Sequence, residues 1–489
     1  MLPDLNEKLR AYVEEFNASD QEIYRQEIPN TEAFSYLQQN APLLDCPDKE
    51  LEKTYYFRLW TLRKHWKQTP FGHVLTEFLP PVGWAGPYNT INCPVGHHLR
   101  EARWLSDAPD RLWEYICFWL NDHGNAFTYS MWFASAVEAY FSIYPNAERM
   151  KEILPKLDRL YKKREALSLR PCGLFWSNDN YDGMEYSVSG SGIRPTLNSY
   201  MCADAFSISR MAERVGMDDL AQAYRIRALR LSDRINEFLW DGDFYRTIPC
   251  GENDPANWTS RPGVPAEYCA RELVGYIPWY FDLADSSKDE AFLQLFDESG
   301  FSAPFGLTTA ERRHPRFMQK FDHECRWNGF VWPFATSQTL TALSNMIRAR
   351  GEQSPVSNEA FYALLYQYAL SHRITDEAGH TRCWIDEDMD PFTGRWYCRD
   401  ELLRNDYVNR GGMPERGKDY NHSTFCDLVL SGLLGIRFDE GVMSAAPILP
   451  PDWDRFMVTG ITKEKWNILY DRDGTYYGCG AGLRCWKDT

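Results

Sequence analysis

The sequence predicts an all-α protein whose helical hairpins close into a toroid, with a short amino-terminal strand region and β-hairpins near its carboxy-terminal end. Three observations predict this. Apolar residues recur at helical spacing along most of the chain, as one buried face of each helix requires. The periodic stretches are joined alternately by short turns and by long loops rich in aromatic residues. Strand-like alternation is confined to one short piece near the start and to the tail after Phe456. In a closed ring of helical hairpins the long loops gather at one mouth, where a rigid scaffold presents them as a site.

Periodic patterns predict helices over 51–66, 111–120, 131–144, 149–167, 197–215, 220–239, 333–350, 358–371 and 424–434. The stretch 197–215 shows the reasoning. Leu197, Met201, Ala205, Ile208, Met211, Ala212 and Val215 share one face, with Pro195 ahead and Gly216 behind as start and stop signals. Residues 73–78 read as a strand, and 456 onward, 467–470, 475–477 and 483–486 read as hairpins with Asp-Gly turns. No Ser/Gly/Pro-rich linker divides the chain. The expectation is one domain over 1–489, with an amino-terminal extension (1–47), a helical barrel (48–436) and a β-rich tail (437–489).

Composition narrows the function. At 489 residues, 44% hydrophobic and 25% charged, the chain has what a full globular core needs. No run approaches the roughly 18 apolar residues of a membrane span. A net charge of −16 argues against nucleic acid, whose binding requires clustered Lys and Arg. The 13 scattered cysteines form no CxxC pair and read as reduced, buried thiols. Met1-Leu2-Pro3-Asp4 begins no export signal, so the expected location is cytoplasmic. Aromatic residues make up 15% of the chain, and those in polar loops suit stacking on sugar rings.

Two acidic loops, about 200 residues apart, carry the chemistry. The first runs from Asn178 through Asp182 and Glu185 to Ser187; Phe175, Trp176, Tyr181 and Tyr186 flank it. Aromatic burial raises a carboxyl pKa towards that of a general acid. The second, Trp384 to Gly394, holds Asp386, Glu387, Asp388 and Asp390, a crowding that requires solvation or protonation. Two facing carboxylates in an aromatic cleft are the minimum equipment for cutting a glycosidic bond. Between them in sequence lies His323 to Pro333, where Glu324, Arg326, Trp327, Asn328 and Trp332 combine hydrogen-bonding groups with ring faces. His97-His98 lacks a third metal ligand nearby, so no metal is called. The absence of a P-loop, GxGxxG or GxSxG leaves no nucleotide cofactor or serine-hydrolase elbow.

Three of these segments, in order, resemble the six-hairpin (α/α)6 glycosidases of the trehalase and processing α-glucosidase type, glycoside hydrolase families thirty-seven and sixty-three. Gly183-Met184-Glu185-Tyr186-Ser187 looks like the Gly-aromatic-Asp-x-Ser loop of the general acid. Trp327-Asn328-Gly329-Phe330-Val331-Trp332-Pro333 is similar to the Trp-x-Gly-Pro-x-Trp-Pro wall. Glu387 to Gly394 resembles the Glu-x-Tyr-Asn/Asp-Pro-x-Thr-Gly loop of the general base. The chain departs from the pattern in holding Glu185 where Asp is usual, which leaves Asp182 as a rival acid. Phe330 replaces the wall proline, and the stretch with Trp84, Tyr88 and Asn89 lacks the Trp-Asp start of the first site loop.

The resemblance implies an inverting, exo-acting, cofactor-free glycosidase on a neutral α-linked oligosaccharide or glycoside, α-glucosidase-like. Glu185 or Asp182 would be the acid and Glu387 the base. Trp176, Tyr186, Trp327 and Trp332 would line the pocket; Glu324, Arg326 and Asn328 would bind hydroxyls; Trp84, Tyr88 and Asn89 would complete the first loop. Relatives of α-L-rhamnosidase or arabinofuranosidase type share the scaffold and keep those sugars open. A sugar epimerase on the same toroid, with His97, His98, His323 and His422 moving protons, is the alternative from another class, and a non-catalytic glycan-binding protein is a third.

Overall fold

The computed structural model describes residues 4–410 and 412–488, so the first three residues, on which the reading of the amino terminus leans, lie outside it. Two kinds of helix make a double ring. Lys49–Lys64, Pro195–Arg214, Pro333–Arg350 and the π-helical turn Leu428–Leu433 are buried on nearly every face. The outer helices each bury one stripe: Leu5, Leu9, Val13 and Phe16 in Leu5–Ala18, and Tyr224, Ala228, Leu231, Ile235 and Phe238 in Asp218–Phe238. A stripe buries one side against the inner ring and leaves the other to water, whereas an all-round apolar helix needs neighbours on both sides. The result is the six-hairpin (α/α)6 toroid. Caps set the helix starts: Asp48 accepts from the backbone of Glu50 and Leu51, and Ser357 from that of Ala360.

Helices 333–350 and 358–371 have the bounds read from sequence, and the other long helices begin or end a few residues away. Besides the single turn Ile277–Tyr280 and the short 3-10 helices, four helices among the described residues went unread: Leu5–Ala18, Ala33–Asn40, Val95–Ala102 and Tyr397–Arg404. The last three have only eight residues each, too short to establish a period. The early strand is Gly72–Leu75, paired antiparallel with Trp66–Thr69. At the end, Arg455–Ile461, Trp466–Asp471 and Gly482–Lys487 form an antiparallel sheet. Residues 475–477 are a turn instead of a strand, because Asp471 accepts from the backbone of Gly474 and Tyr477 and Asp473 from that of Thr475. Leu43–Asp45 pairs with Arg455–Ile461, so the amino-terminal segment is sewn into the terminal sheet. No helix among the described residues is long and apolar enough to cross a membrane.

Candidate active site

The wall segment joins the two acidic loops. The backbone N–H of Trp327 donates to the Glu185 carbonyl at 3.1 Å, and Val331 exchanges hydrogen bonds with Met389 at 2.9 and 3.0 Å. One short stretch, a turn at 327–329 followed by a bridge at Val331, thus lies between the first loop and the second. This is how residues about 200 apart in sequence reach one cavity, of about 210 Å3. Glu185 and Glu387 both line it. Trp327, Trp332 and Phe334 stack in series along one side, with ring centroids 4.3 and 4.6 Å apart, and Phe78, Trp84 and Tyr129 stand elsewhere on the wall.

Glu185 sits just after Gly183, whose φ of +68° ends a 3-10 turn in the left-handed conformation that glycine adopts without strain. Its Oε2 accepts from the Trp327 indole at 3.0 Å. Burial pushes its carboxyl up to about 7, Glu387 adds to the rise and the indole hydrogen bond opposes it. The group therefore holds a proton near neutrality. Asp182, the rival acid, is placed otherwise: its side chain has no exposure and lies outside the cavity wall. Arg194 Nε meets its Oδ2 at 2.6 Å while Ser130 and Ser177 donate to Oδ1, a packing role that leaves no oxygen facing the cavity.

Glu387 forms an ion pair with Arg416 at 2.9 Å, and the Cys398 thiol donates to the same oxygen at 3.2 Å. The other arm of Arg416 reaches Glu324 at 3.1 Å. Burial works against the charge of Glu324, but Arg416 outweighs it and holds that carboxyl below the usual range. Gly417 next to Arg416 has to be glycine, since a Cβ there would stand 1.8 Å from Asp386 Oδ1. The crowded second loop is relieved by burial: Asp386 is pushed up to about 7 and Asp388 well above the ordinary carboxyl value. Asp390 instead closes a turn, accepting from the backbone of Phe392 and Thr393.

Of the other residues read from sequence, Glu324, Trp327, Trp332 and Trp84 line the cavity. Six do not. The Trp176 indole donates to the Cys250 carbonyl, and Tyr186 turns outward to stack on Phe321. Arg326 is drawn to Tyr397, and Asn328 donates to the Gln319 carbonyl. Tyr88 packs edge-on to Phe71 and Phe118, and Asn89 braces its own loop by donating to the Phe78 and Pro80 carbonyls. Each of these side chains is engaged away from the cavity, although Arg326 Nε and Asn328 Oδ1 are buried without a hydrogen-bond partner, and sequence adjacency to a motif does not reveal this. Among the histidines, His323 lines the cavity while His97, His98 and His422 do not. Burial holds all three below the ordinary histidine value, so they stay neutral.

Sequence reasoning missed Arg416, Tyr420 and Glu77. Arg416 stands in a loop with no motif around it, and Glu77 was absorbed into a strand. Glu77 lines the cavity with Oε1 accepting from the Tyr420 hydroxyl at 2.8 Å, and burial pushes its carboxyl up to about 8. No group of His, Cys, Asp and Glu suited to a metal ion occurs among the described residues.

The sequence profile of the mannosylglycerate hydrolase MGH1-like glycoside hydrolase domain matches residues 87–423. The chain belongs to this family. Residues 87–423 are therefore an MGH1-like glycoside hydrolase domain. A solved chain named sialidase is 35% identical, superposes with a TM-score of 0.86 and is matched over 99% of this chain. That match takes up 43% of the sialidase chain, so the present chain spans less than half of that relative. The GH63 mannosylglycerate hydrolase of Thermus thermophilus, solved with glucose, shares the fold at 14% identity and a TM-score of 0.52, over 77% of this chain and 99% of that one. An α-L-rhamnosidase of Streptomyces avermitilis, solved with L-rhamnose, shares it at 12% identity and 0.54, over 88% and 36%. A protein of Borreliella burgdorferi is 31% identical over 179 residues, 36% of this chain and 35% of its own length.

Proposed function

We propose that this MGH1-like glycosidase removes a terminal sugar from a neutral α-linked oligosaccharide or glycoside, α-glucosidase-like, with inversion at the anomeric carbon. The observation that carries the reading is the unequal surroundings of two glutamates in one cavity. Glu185 has no ion-pair partner there among the described residues and burial raises its carboxyl to about 7, while Glu387 is ion-paired with Arg416. A pair of carboxyl groups so separated by environment divides into acid and base. Glu185 gives its proton to the glycosidic oxygen as the C–O bond breaks. Glu387 takes a proton from the water whose oxygen bonds the anomeric carbon from the opposite face. The inverting geometry leaves room for that water between carboxyl groups roughly 6.5–9.5 Å apart.

The small cavity suits one ring held against Trp327 and Trp332 better than a threaded chain, which supports exo action. The test is proton NMR of the first anomer released from a panel of α-glucosides, α-mannosides and α-L-rhamnosides. Release of the inverted anomer is expected. Release of the retained anomer overturns the mechanism, and isomerisation without water uptake overturns hydrolysis.

A further inference from the structure

Glu77 follows the strand Gly72–Leu75 and is fixed more firmly than a loop residue ordinarily is. Asn421 grips the backbone on both sides of its side chain: its N–H donates to the Glu77 carbonyl at 3.0 Å and its amide to the Thr76 carbonyl at 3.0 Å. The Asn421 carbonyl is in turn bonded to His98 at 2.6 Å. Oε1 is engaged by Tyr420, and no protein partner meets Oε2 among the described residues, although the side chain lines the cavity. A carboxyl group preorganised in this way, with one oxygen turned to a ligand pocket, is built to meet a ligand.

The charges around it define which ligand. Glu77, Glu185, Glu324 and Glu387 all line the cavity. Among the described residues the one guanidinium on its wall, Arg416, is buried and already joined to Glu324 and Glu387. A carboxylated sugar would bring a further negative charge beside Glu324 and Glu387, which already share that single guanidinium, with none left to receive it. A neutral hydroxyl meets no such cost. It can accept a hydrogen bond from a carboxyl group that keeps its proton, as Glu77 does because of burial and of its neighbours Glu387 and Glu185, with Tyr420 and Arg416 opposing.

We propose that Glu77 is a substrate-binding residue, its carboxyl group donating a hydrogen bond to a hydroxyl of the sugar held between Glu185 and Glu387, and that it makes the pocket select uncharged sugars over carboxylated ones. This rests on the assignment of the cavity as the sugar site.

The test titrates the full chain with D-glucose, D-mannose and L-rhamnose, and with D-glucuronate and N-acetylneuraminate, by ligand-observed NMR. Melting curves accompany each variant to confirm folding. Wild type is expected to bind a neutral sugar and neither acid. Glu77→Ala should weaken neutral binding about tenfold, as for one lost hydrogen bond. Glu77→Gln, which keeps a donor, should stay within about threefold of wild type, and Glu77→Lys should admit D-glucuronate. Unchanged binding in Glu77→Ala overturns the proposal, as does tight binding of either acid by wild type. If Glu77→Gln is as weak as Glu77→Ala, the donor role is wrong. Neutral binding that follows Glu77 without hydrolysis of any glycoside would leave this inference standing and sink the hydrolytic reading; no binding of any sugar would end both.

Discussion

Trp327 holds Glu185 twice, through its backbone N–H to the Glu185 carbonyl at 3.1 Å and through its indole N–H to Oε2 at 3.0 Å. The first bond sets the loop and the second sets the carboxyl group. The indole bond also favours the ionised form, opposing the burial that pushes Glu185 up to about 7. Trp327→Phe keeps the ring and the backbone bond but removes the indole donor. The alkaline limb of kcat against pH should move upward in that variant, and kcat should fall about tenfold as an acid held in geometry becomes loose. A limb that stays in place or moves down would mean that the indole does not act on this carboxyl group.

The two proposed roles differ in their dependence on the leaving group. General acid and base steps contribute about 10²–10⁴-fold each. Glu185→Gln should therefore cripple cleavage of an alkyl glycoside yet keep much of the rate on an aryl glycoside whose phenol leaves without a proton. Glu387→Gln should lose both, because water activation is needed in either case. Steady-state rates on a matched alkyl and aryl pair decide this; equal losses in Glu185→Gln would remove it from the acid position.

Arg416 lies between Glu324 and Glu387 with its side chain 2% exposed. Removing one member of a buried ion pair leaves an uncompensated charge and costs about 3–5 kcal/mol. Arg416→Met should lower unfolding free energy by that order and abolish turnover. Arg416→Met, Glu324→Gln should recover part of the stability, since one of the two stranded carboxylates is gone. Urea titration of the two variants measures this, and equal stabilities would show that the arginine does not bind the cluster together.

Much of this architecture was legible in sequence because helical period survives in long segments: the helices at 333–350 and 358–371 are bounded by Pro333 and by the Ser357 cap, signals that act locally. The two acidic loops were legible because their carboxylates lie among glycines and aromatics that make no sense on an ordinary surface. What stayed hidden depends on contacts across the ring. Arg416 acquires its meaning from Glu387 and Glu324, 29 and 92 residues away, and Glu77 from Tyr420, 343 residues away. Trp176 and Tyr186 misled for the same reason: their side chains are taken up by Cys250 and Phe321, which no local pattern announces.

Asp182 and Glu185 lie three residues apart, yet their variants should fail in different ways. Asp182 is fully buried against Arg194, so Asp182→Asn strands that guanidinium and should destabilise the fold by about 3–5 kcal/mol. Activity per folded molecule should persist. Glu185→Gln should leave the melting temperature within a few degrees and remove turnover of alkyl glycosides. Thermal melts combined with active-site titration distinguish the two. If Asp182→Asn instead melts like wild type and is dead, Asp182 is the acid after all.

Opposed titrations set the pH range in which the protein is most stable. His65, His97, His98, His372 and His422 are all held below the ordinary histidine value by burial, so the unfolded chain binds more protons than the folded one below about pH 6.5, and stability is lost as pH falls. The buried acids act the other way. Glu185, Asp204 and Asp386 are raised to about 7 and Glu77 to about 8, so the folded state holds protons that the unfolded state releases above about pH 4. Their contribution is complete at low pH and is lost as pH rises through 7 and 8. Below about 6.5 the two sets oppose each other, and above it the acids act alone, so stability should peak near pH 6.5 and decline towards 8. Each acid supplies a slope of at most about 1.4 kcal/mol per pH unit. Glu77→Gln removes the highest of these four acids and should make the decline between pH 7 and 8 shallower. Urea unfolding at pH 5.5, 6.5, 7 and 8 reads both effects. An unfolding free energy that keeps rising to pH 8, or a slope that Glu77→Gln leaves unaltered, would show that Glu77 is ionised in the folded protein.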